Sequence, residues 1–297
     1  MTDSKKRKCD FFFIVGTGRC GTTLTAQVMN AHSRICVPHE LQIAFEYSGN
    51  GERLAEIFAS GKNLFYKAED YIQLVQSRCP HDFMAYYNYQ VFFKAQRYPQ
   101  LSLRWLLTRF YSDIARSYGK SIFAEQVPWY GQNIPLLNKI FPKSKFIHLV
   151  RDGRDVSISY ARTPWWHQDP QQNLQRWQQE VGKIENDGAN LLKDRYLTIR
   201  YEDLVTKPEA MVREICEFLG VDYEKGMLKS ENHIDYTRYK KTATPGVYSK
   251  EYDAWYAHRD TPFFQGSVYA WEKNKDVQFG PISAEIKSML RKYGYKV

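Results

Sequence analysis

The chain has 297 residues, of which 43% are hydrophobic and 25% charged, a balance that is typical of a globular protein and excludes a wholly disordered one. Lys and Arg outnumber Asp and Glu by 42 to 33, and the net charge of +9 predicts an anionic partner: a nucleic acid, a membrane surface or a phosphorylated small molecule. No run approaches the roughly 18 apolar residues that span a bilayer. The apolar run near the N-terminus is shorter than a signal-peptide core, so we expect a cytoplasmic protein.

The first predicted strand runs into a glycine loop. Phe11–Val15 is a short apolar, β-prone run and predicts a buried strand. Residues 16–21 form the loop, and Thr22–Ala31 predicts a helix directly after it. Ile35–Val37 predicts a second strand, which Pro38 closes.

The middle of the chain changes character. Between about residues 48 and 118 the strand signal disappears and helical spacing predominates, with an aromatic cluster at residues 83–93. Strand signals then return and alternate with helical ones, which predicts an α/β fold: a single domain with a central, mostly parallel sheet flanked by helices. The later predicted strands are Ser121–Ala124, Lys145–Val150 and Tyr196–Tyr201.

The C-terminal half contains three helix signals. Asp152 is predicted to cap a helix that runs to about Arg162, with Asp155 three residues on completing a capping box. Residues 222–275 are irregular, aromatic and basic. The other two predicted helices are bounded by Pro208 and Gly220, and by Ser283 and Lys292.

The glycine loop, Gly16-Thr-Gly-Arg-Cys-Gly-Thr-Thr23, follows a strand and opens a helix, which predicts an anion cradle of backbone N–H groups. It fits the P-loop pattern except that Thr22 stands at the Lys position, which disfavours a kinase-like enzyme. It also fits the dinucleotide pattern, with Glu40 lying 19 residues past Gly21, so an NAD-dependent enzyme is a further alternative. The loop alone does not decide between these ligands.

A second basic element distinguishes the ligands. Arg19 lies inside the loop, where a dinucleotide site prefers small residues, and Arg151 opens a segment that runs to Ser159 after another strand. A nicotinamide dehydrogenase has no need of this second element. A nucleotide that carries phosphates at both its 5′ and 3′ ends does.

At these residues the sequence resembles the sulfotransferases that use 3′-phosphoadenosine 5′-phosphosulfate. The motif landmarks occur in the family's order from residue 11 to residue 273, and only the connecting helices at about 45–118 are unmatched. The similar segments are Gly18–Leu24 for the 5′-phosphosulfate loop P-[KR]-x-G-T-T, Arg151 with Ser159 for the 3′-phosphate site, Arg200–Val205 with Pro208 for the strand and helix R-Y-E-x-L-x…P, and Ser267–Lys273 for a cofactor-covering segment.

The resemblance implies a P-loop NTPase-like sulfotransferase fold, a donor that leaves as adenosine 3′,5′-bisphosphate, and no metal. The five Cys residues, which have neither disulfide nor metal-ligand spacing, agree with the last expectation. The resemblance also implies that Arg151 and Ser159 bind the 3′-phosphate and that Tyr201 touches the nucleoside or that phosphate. The residues expected to bind the 5′ end or to cover the cofactor are Gly18, Arg19, Cys20, Gly21, Thr22, Thr23 and Lys273.

Two catalytic residues follow from the resemblance. Glu40 falls where bacterial-type and protein-tyrosine members carry a carboxylate base. His39 beside it is expected to be a pocket residue and is the alternative base, since some relatives use His from a different region. Arg19 is expected to stabilise the charge that spreads over the transferring group. One departure is Gln126, which stands where many relatives have Lys in an E-K-T-P motif, so another cation, Arg19 or a Lys from the loop at 240–275, would take over that role.

The domain organisation that we predict is a disordered basic tail at 1–9 and a single domain at 10–297. Within it, a helical insert at about 45–118 and a covering loop at about 222–275 are expected to form the acceptor pocket. We expect a small-molecule acceptor, such as a specialised natural product, and neither a nucleic-acid nor a membrane partner. A basic nucleic-acid-binding protein is the remaining alternative, because of the net charge and the run Lys5–Lys8.

Overall fold

The computed structural model describes residues 11–38, 65–66, 101–163, 166–232, 263–274, 276–277 and 279–297. Within them the chain alternates between strands and helices. The strands are β1 (Phe11–Gly16), β2 (Ile35–Cys36), β3 (Phe65–Tyr66), β4 (Leu101–Ser102), β5 (Ile122–Gln126), β6 (Lys145–Val150) and β7 (Tyr196–Arg200).

The helices follow the strands and cover both faces of the main sheet. Short 3₁₀ turns, such as Pro128–Asn133, connect several of them. The helices are α1 (Thr22–Asn30), α2 (Leu103–Ser117), α3 (Ile134–Ile140), α4 (Gly153–Ala161), α5 (Pro170–Asp187), α6 (Tyr201–Thr206), α7 (Pro208–Leu219) and α8 (Ala284–Lys292).

Five strands form a single parallel sheet in the order β2-β5-β1-β6-β7. Strand β1 lies at its centre, where Ile14 is opposite Gln126 of β5 and Ile147 of β6. Phe12–Val15 are fully buried, and such a continuous apolar run is typical of a strand covered on both faces. The sheet confirms the predicted α/β fold and brings the carboxyl ends of β1, β5 and β6 to one edge.

Two apolar clusters hold the helices to the sheet. On one face Phe12 and Ile14 pack with residues of α1 and α7. On the other face Val150 packs with Trp177 of α5 and with residues of α4 and α8. No helix in the described ranges combines the length and apolar character needed to cross a membrane.

Most predicted elements are confirmed to within two residues, and two differences have physical causes. The short strands β3 and β4, an antiparallel pair, lie in the region predicted to be helical only, because two-residue strands carry no readable alternation. The predicted strand 196–201 ends at Arg200, since Tyr201 begins α6. Helices α3 and α5 are not among the predicted elements. The tail at 1–9 and most of the insert lie outside the described residues.

Candidate functional site

The loop between β1 and α1 turns through left-handed backbone conformations. Gly18, Arg19 and Gly21 have φ values of 74°, 54° and 95°. A Cβ atom on Gly18 would collide with the Tyr160 hydroxyl, and one on Gly21 would collide with the Tyr201 ring. Both glycines are therefore required by backbone conformation and by close packing.

Arg19 is the one residue of this loop that adopts a left-handed conformation without being glycine. Such a conformation costs about 1–3 kcal/mol and persists where the surrounding structure holds it. Here Arg19 Nε donates to Ser159 Oγ at 2.9 Å, and the Arg19 carbonyl accepts from Arg151 Nη1 at 3.0 Å. Arg19 and the segment Arg151–Ser159 are at least 132 residues apart in the sequence. These two hydrogen bonds bring them into direct contact.

Arg151 follows β6 and is almost buried, with 9% of its surface exposed. Its Nη2 donates to the Ser267 carbonyl at 2.7 Å and lies 3.7 Å from Asp155 Oδ2. The guanidinium carbon lies 4.7 Å from the centre of the Tyr201 ring, a cation–π contact. Its buried Nε has no hydrogen-bond partner among the described residues, so the guanidinium retains a donor that is not satisfied.

The start of α4 differs from the predicted capping box. Asp152 does cap the helix, accepting from the Arg154 backbone N–H at 2.9 Å. Its own N–H, however, donates to Glu202 Oε1 at 3.0 Å, while Asp155 Oδ1 accepts from the Trp271 N–H at 2.7 Å. The expected reciprocal bond from Asp155 was wrong, because both groups have partners that are distant in sequence.

The segment 263–274 is fastened to this region by side chains. The Arg154 guanidinium stacks on Trp271 at 3.6 Å, and Arg200 Nη2 donates to the Tyr269 hydroxyl at 3.3 Å. Tyr269 has a φ of 51°. Lys273 is exposed; its backbone N–H donates to the Ala270 carbonyl at 3.1 Å, and no contact of its ammonium with another described residue is seen.

Tyr201 lies between the two basic elements. Its ring packs against Gly21 and also lies beneath the Arg151 guanidinium. Burial raises the pKa of its hydroxyl, although Arg151 opposes that change. Tyr201 is thus a neutral aromatic wall that joins the loop to Arg151.

Cys20 is fully buried inside the turn of the loop. Burial raises the pKa of its thiol to about 11, and this outweighs the backbone N–H groups of Thr17, Thr22 and Gly18, which lower it. The side chain is therefore a neutral thiol. This buried position explains why a small residue stands at this point of the loop. Any contact of Cys20 with a ligand would come from its backbone.

Thr22 and Gln126 form a buried pair at the start of α1. Gln126 ends β5 and has no exposed surface, and its Nε2 donates to Thr22 Oγ1 at 3.1 Å. Thr23, the next residue, is half-buried. Gln126 stands where many relatives have Lys, and it thus places a neutral amide in contact with the loop.

Tyr160 is a site residue that the sequence interpretation missed. Its hydroxyl donates to the Thr17 carbonyl at 2.6 Å, and it packs against Gly18. Burial raises its pKa to about 12. Arg176 of α5 lies over its ring at 4.9 Å and pairs with Glu180 at 2.7 Å. The signal available in the sequence was its place directly after Ser159.

Several predicted residues lie outside the described ranges: His39, Glu40 and the aromatic cluster at 83–93. Their assignments stay predictions. Among the residues that are described, no group of three or more His, Cys, Asp or Glu side chains is placed to hold a metal ion.

Comparisons of the sequence and of the structure with known proteins both find sulfotransferases. The model of the Sulfotransferase family matches residues 12–225. Protein-tyrosine sulfotransferase of Drosophila melanogaster is 30% identical over 102 residues, which are 33% of this chain and 20% of that protein. Protein-tyrosine sulfotransferase A of Caenorhabditis elegans is 23% identical over 239 residues, or 78% of this chain and 55% of that protein. The chain thus spans between a fifth and about half of the length of these relatives.

Two solved structures share the fold over nearly the whole chain. The sulfotransferase domain from the Synechococcus PCC 7002 olefin synthase has a TM-score of 0.64 and 20% identity, covering 100% of this chain and 98% of that one. The sulfotransferase domain from the curacin biosynthetic pathway has a TM-score of 0.63 and 20% identity, covering 98% and 99%.

Proposed function

The chain belongs to the sulfotransferase family, and we propose that it transfers a sulfuryl group from 3′-phosphoadenosine 5′-phosphosulfate to a hydroxyl or amine of a small-molecule acceptor. The observation that carries this proposal is the junction of two basic elements at the carboxyl edge of the sheet. Arg19 donates to Ser159, and Arg151 donates to the Arg19 carbonyl, so the two elements are in direct contact. Such an edge is where parallel sheets bind nucleotides.

The residues present fit a nucleotide with two phosphorylated ends. The donor set combines two guanidinium groups with hydroxyls of Thr22, Thr23 and Ser159, all of which bind phosphate oxygens well. The unsatisfied Nε of the buried Arg151 is a donor suited to an anion. When bound, the donor nucleotide would supply an activated sulfuryl group attached to its 5′-phosphate.

Each residue then has a defined task. Arg19, Thr22, Thr23 and the backbone of the glycine loop would hold the 5′ end and stabilise negative charge there. Arg151 and Ser159 would hold the 3′-phosphate. Tyr201, whose ring packs against Gly21, would contact the nucleoside or the 3′-phosphate. Lys273 lies at the end of the segment 263–274, which would cover the nucleotide.

The acceptor must lose a proton as its oxygen or nitrogen forms the new bond to sulfur and the bond from sulfur to the 5′-phosphate oxygen breaks. We assign the uptake of that proton to Glu40. A positioned general base contributes roughly 10²–10⁴-fold to such a step. Neutralising Arg19 would remove a positive charge from the end of the nucleotide where negative charge develops.

The alternative activities are less well supported. Thr22 occupies the position of the P-loop Lys, so the loop lacks the ammonium group that reaches the β- and γ-phosphates of ATP. The element Arg151–Ser159 has no role in an NAD site. For the acceptor, the curated relatives named protein-tyrosine sulfotransferase make a tyrosine phenol the competing class, to be compared with small metabolites in one screen.

A ligand panel in a thermal-shift assay tests the cofactor class. Adenosine 3′,5′-bisphosphate is expected to raise the melting temperature, by an amount that corresponds to about 2.7 kcal/mol at 100 times its Kd. ATP, NAD and a DNA duplex are expected to give smaller shifts or none. A protein that is indifferent to the bisphosphate but stabilised by ATP, NAD or DNA would overturn the proposal.

The role of Glu40 is tested after an acceptor is found with ³⁵S-labelled donor. Glu40→Gln should keep the affinity for the bisphosphate and lose about 10²–10⁴-fold in turnover, because the amide accepts no proton. Glu46→Gln, which removes a carboxylate six residues on, is the matched control. Full turnover by Glu40→Gln would show that Glu40 is not the base.

A further inference from the structure

Gln126 is buried against the nucleotide loop although it lies on a different strand. It is the last residue of β5 and stands opposite Ile14 of β1, the strand that continues into the loop. The end of β5 therefore lies beside the start of α1. The Gln126 side chain has no exposed surface, and its Nε2 donates to Thr22 Oγ1 at 3.1 Å, where Thr22 is itself 3% exposed.

This hydrogen bond restricts the direction of the Thr22 hydroxyl. A threonine hydroxyl has one hydrogen to donate and two lone pairs that accept. Because one lone pair is taken by the Gln126 amide, the hydroxyl hydrogen points elsewhere. Among the bonds of the described residues Thr22 Oγ1 acts only as an acceptor. The carbonyl four residues earlier, that of Gly18, accepts a hydrogen bond from Thr17 Oγ1 at 3.1 Å, and no bond to it from Thr22 Oγ1 is seen in the described part of the chain.

Thr25, one turn further along α1, behaves in the opposite way. Its hydroxyl donates to the Gly21 carbonyl at 3.1 Å, so its hydrogen is consumed by the helix. Thr22 is the first residue of α1, where backbone N–H groups and the helix dipole favour an anion. Its hydrogen is thus available at the one end of the helix where a phosphate oxygen would be bound.

We propose that Gln126 is a positioning residue for the 5′ end of the nucleotide, acting through Thr22: its amide turns the Thr22 hydroxyl into a fixed donor toward the anion. This inference rests on the proposed function. A neutral amide is suited to this buried place, because an unpaired ammonium there would be costly to bury whenever the nucleotide is absent. Gln126 thus orients a neutral donor, and the positive charge at this end comes from Arg19.

A double-mutant cycle tests the proposal with the Kd of adenosine 3′,5′-bisphosphate measured by isothermal titration calorimetry. Gln126→Leu should raise Kd about fivefold when Thr22 is present, the size expected for one neutral hydrogen bond. In the Thr22→Val background the same change should raise Kd by less than about 1.5-fold, because the hydroxyl that it orients is gone. Thr22→Ser keeps the hydroxyl and should restore the full effect.

Thr25→Val is the matched control, since it removes a buried hydroxyl from the same helix that has no bond to Gln126. Its effect and that of Gln126→Leu should combine without coupling. If Gln126→Leu does not fold, Gln126→Met takes its place in every arm. Equal losses in the Thr22 and Thr22→Val backgrounds would overturn this inference alone, whereas a wild-type protein that does not bind the bisphosphate would overturn the proposed function.

Discussion

The loop at residues 16–21 and the start of α4 at residues 151–155 lie at the same edge of the sheet, yet they are built by different means. The loop depends on backbone conformation, with three residues at positive φ and glycines packed against Tyr160 and Tyr201. The start of α4 depends on side chains: Arg151 donates to two carbonyls and lies beside Asp155. Changes in the loop should therefore affect folding and binding together, whereas changes around Arg151 should affect binding alone.

The largest effect is expected in the loop. Gly21→Ala introduces a Cβ at a φ of 95° against the Tyr201 ring, which should lower the free energy of unfolding by about 1–3 kcal/mol and weaken bisphosphate binding at least tenfold. Chemical denaturation and calorimetry measure the two quantities. Gly119→Ala is the control, because Gly119 also has a positive φ, of 70°, but has no atom within 4 Å of a Cβ. Normal binding by folded Gly21→Ala would contradict the backbone account of the loop.

An intermediate effect is expected in the segment 263–274. Trp271→Ala removes the ring on which Arg154 stacks, a contact of about 0.5–2 kcal/mol, and should speed bisphosphate dissociation about 2–30-fold with little change in melting temperature. Trp271→Phe should retain most of the wild-type rate, because the buried indole N–H has no hydrogen-bond partner among the described residues. Stopped-flow displacement gives the rates. A large fall in melting temperature without a change in dissociation would show that Trp271 serves folding only.

The smallest effect concerns the pH dependence of stability behind the loop. Burial raises the pKa of Glu180 to about 7, although Arg176 lowers it. A raised carboxyl pKa gives stability that is complete below the ordinary value and is lost as pH rises through 7. The melting temperature should fall by a few degrees between about pH 5 and pH 8, and Glu180→Gln should flatten that fall.

Glu209→Gln is the control for this pH profile, because Glu209 pairs with Arg213 at 2.7 Å as Glu180 does with Arg176, but is exposed. It should leave the profile unchanged. A Glu180→Gln variant with the wild-type pH profile would assign the dependence to another group.

The sequence was informative wherever the chemistry is local. Short stretches of sequence identify the glycine loop, the strand before it, and the pair Arg151 and Ser159. The predicted parallel sheet brings these segments to one edge. Helix α5 was also readable, since Leu174, Trp177, Val181 and Ile184 recur at helical spacing and are buried. The helix is nevertheless absent from the predicted elements.

Other features depend on residues that are distant in sequence. The capping box at Asp152 failed because Glu202 and Trp271 are the partners of its two bonds. The contact of Gln126 with Thr22 joins the end of β5 to the start of α1, and the packing of Tyr160 on Gly18 joins α4 to the loop. Local sequence patterns do not encode these contacts, because each contact forms only when the whole sheet is assembled.

In the proposed function, the glycine loop and the element Arg151–Ser159 hold the two phosphorylated ends of one nucleotide. Kd values of adenosine 3′,5′-bisphosphate and of AMP, which lacks the 3′-phosphate, would test this arrangement in the wild type, Arg151→Ala and the control Arg154→Ala. Arg151→Ala should weaken the bisphosphate by at least about tenfold, as expected for a lost charged hydrogen bond, and AMP by much less. Arg154→Ala should not discriminate between the ligands. Equal losses for the bisphosphate and AMP in Arg151→Ala would contradict the account.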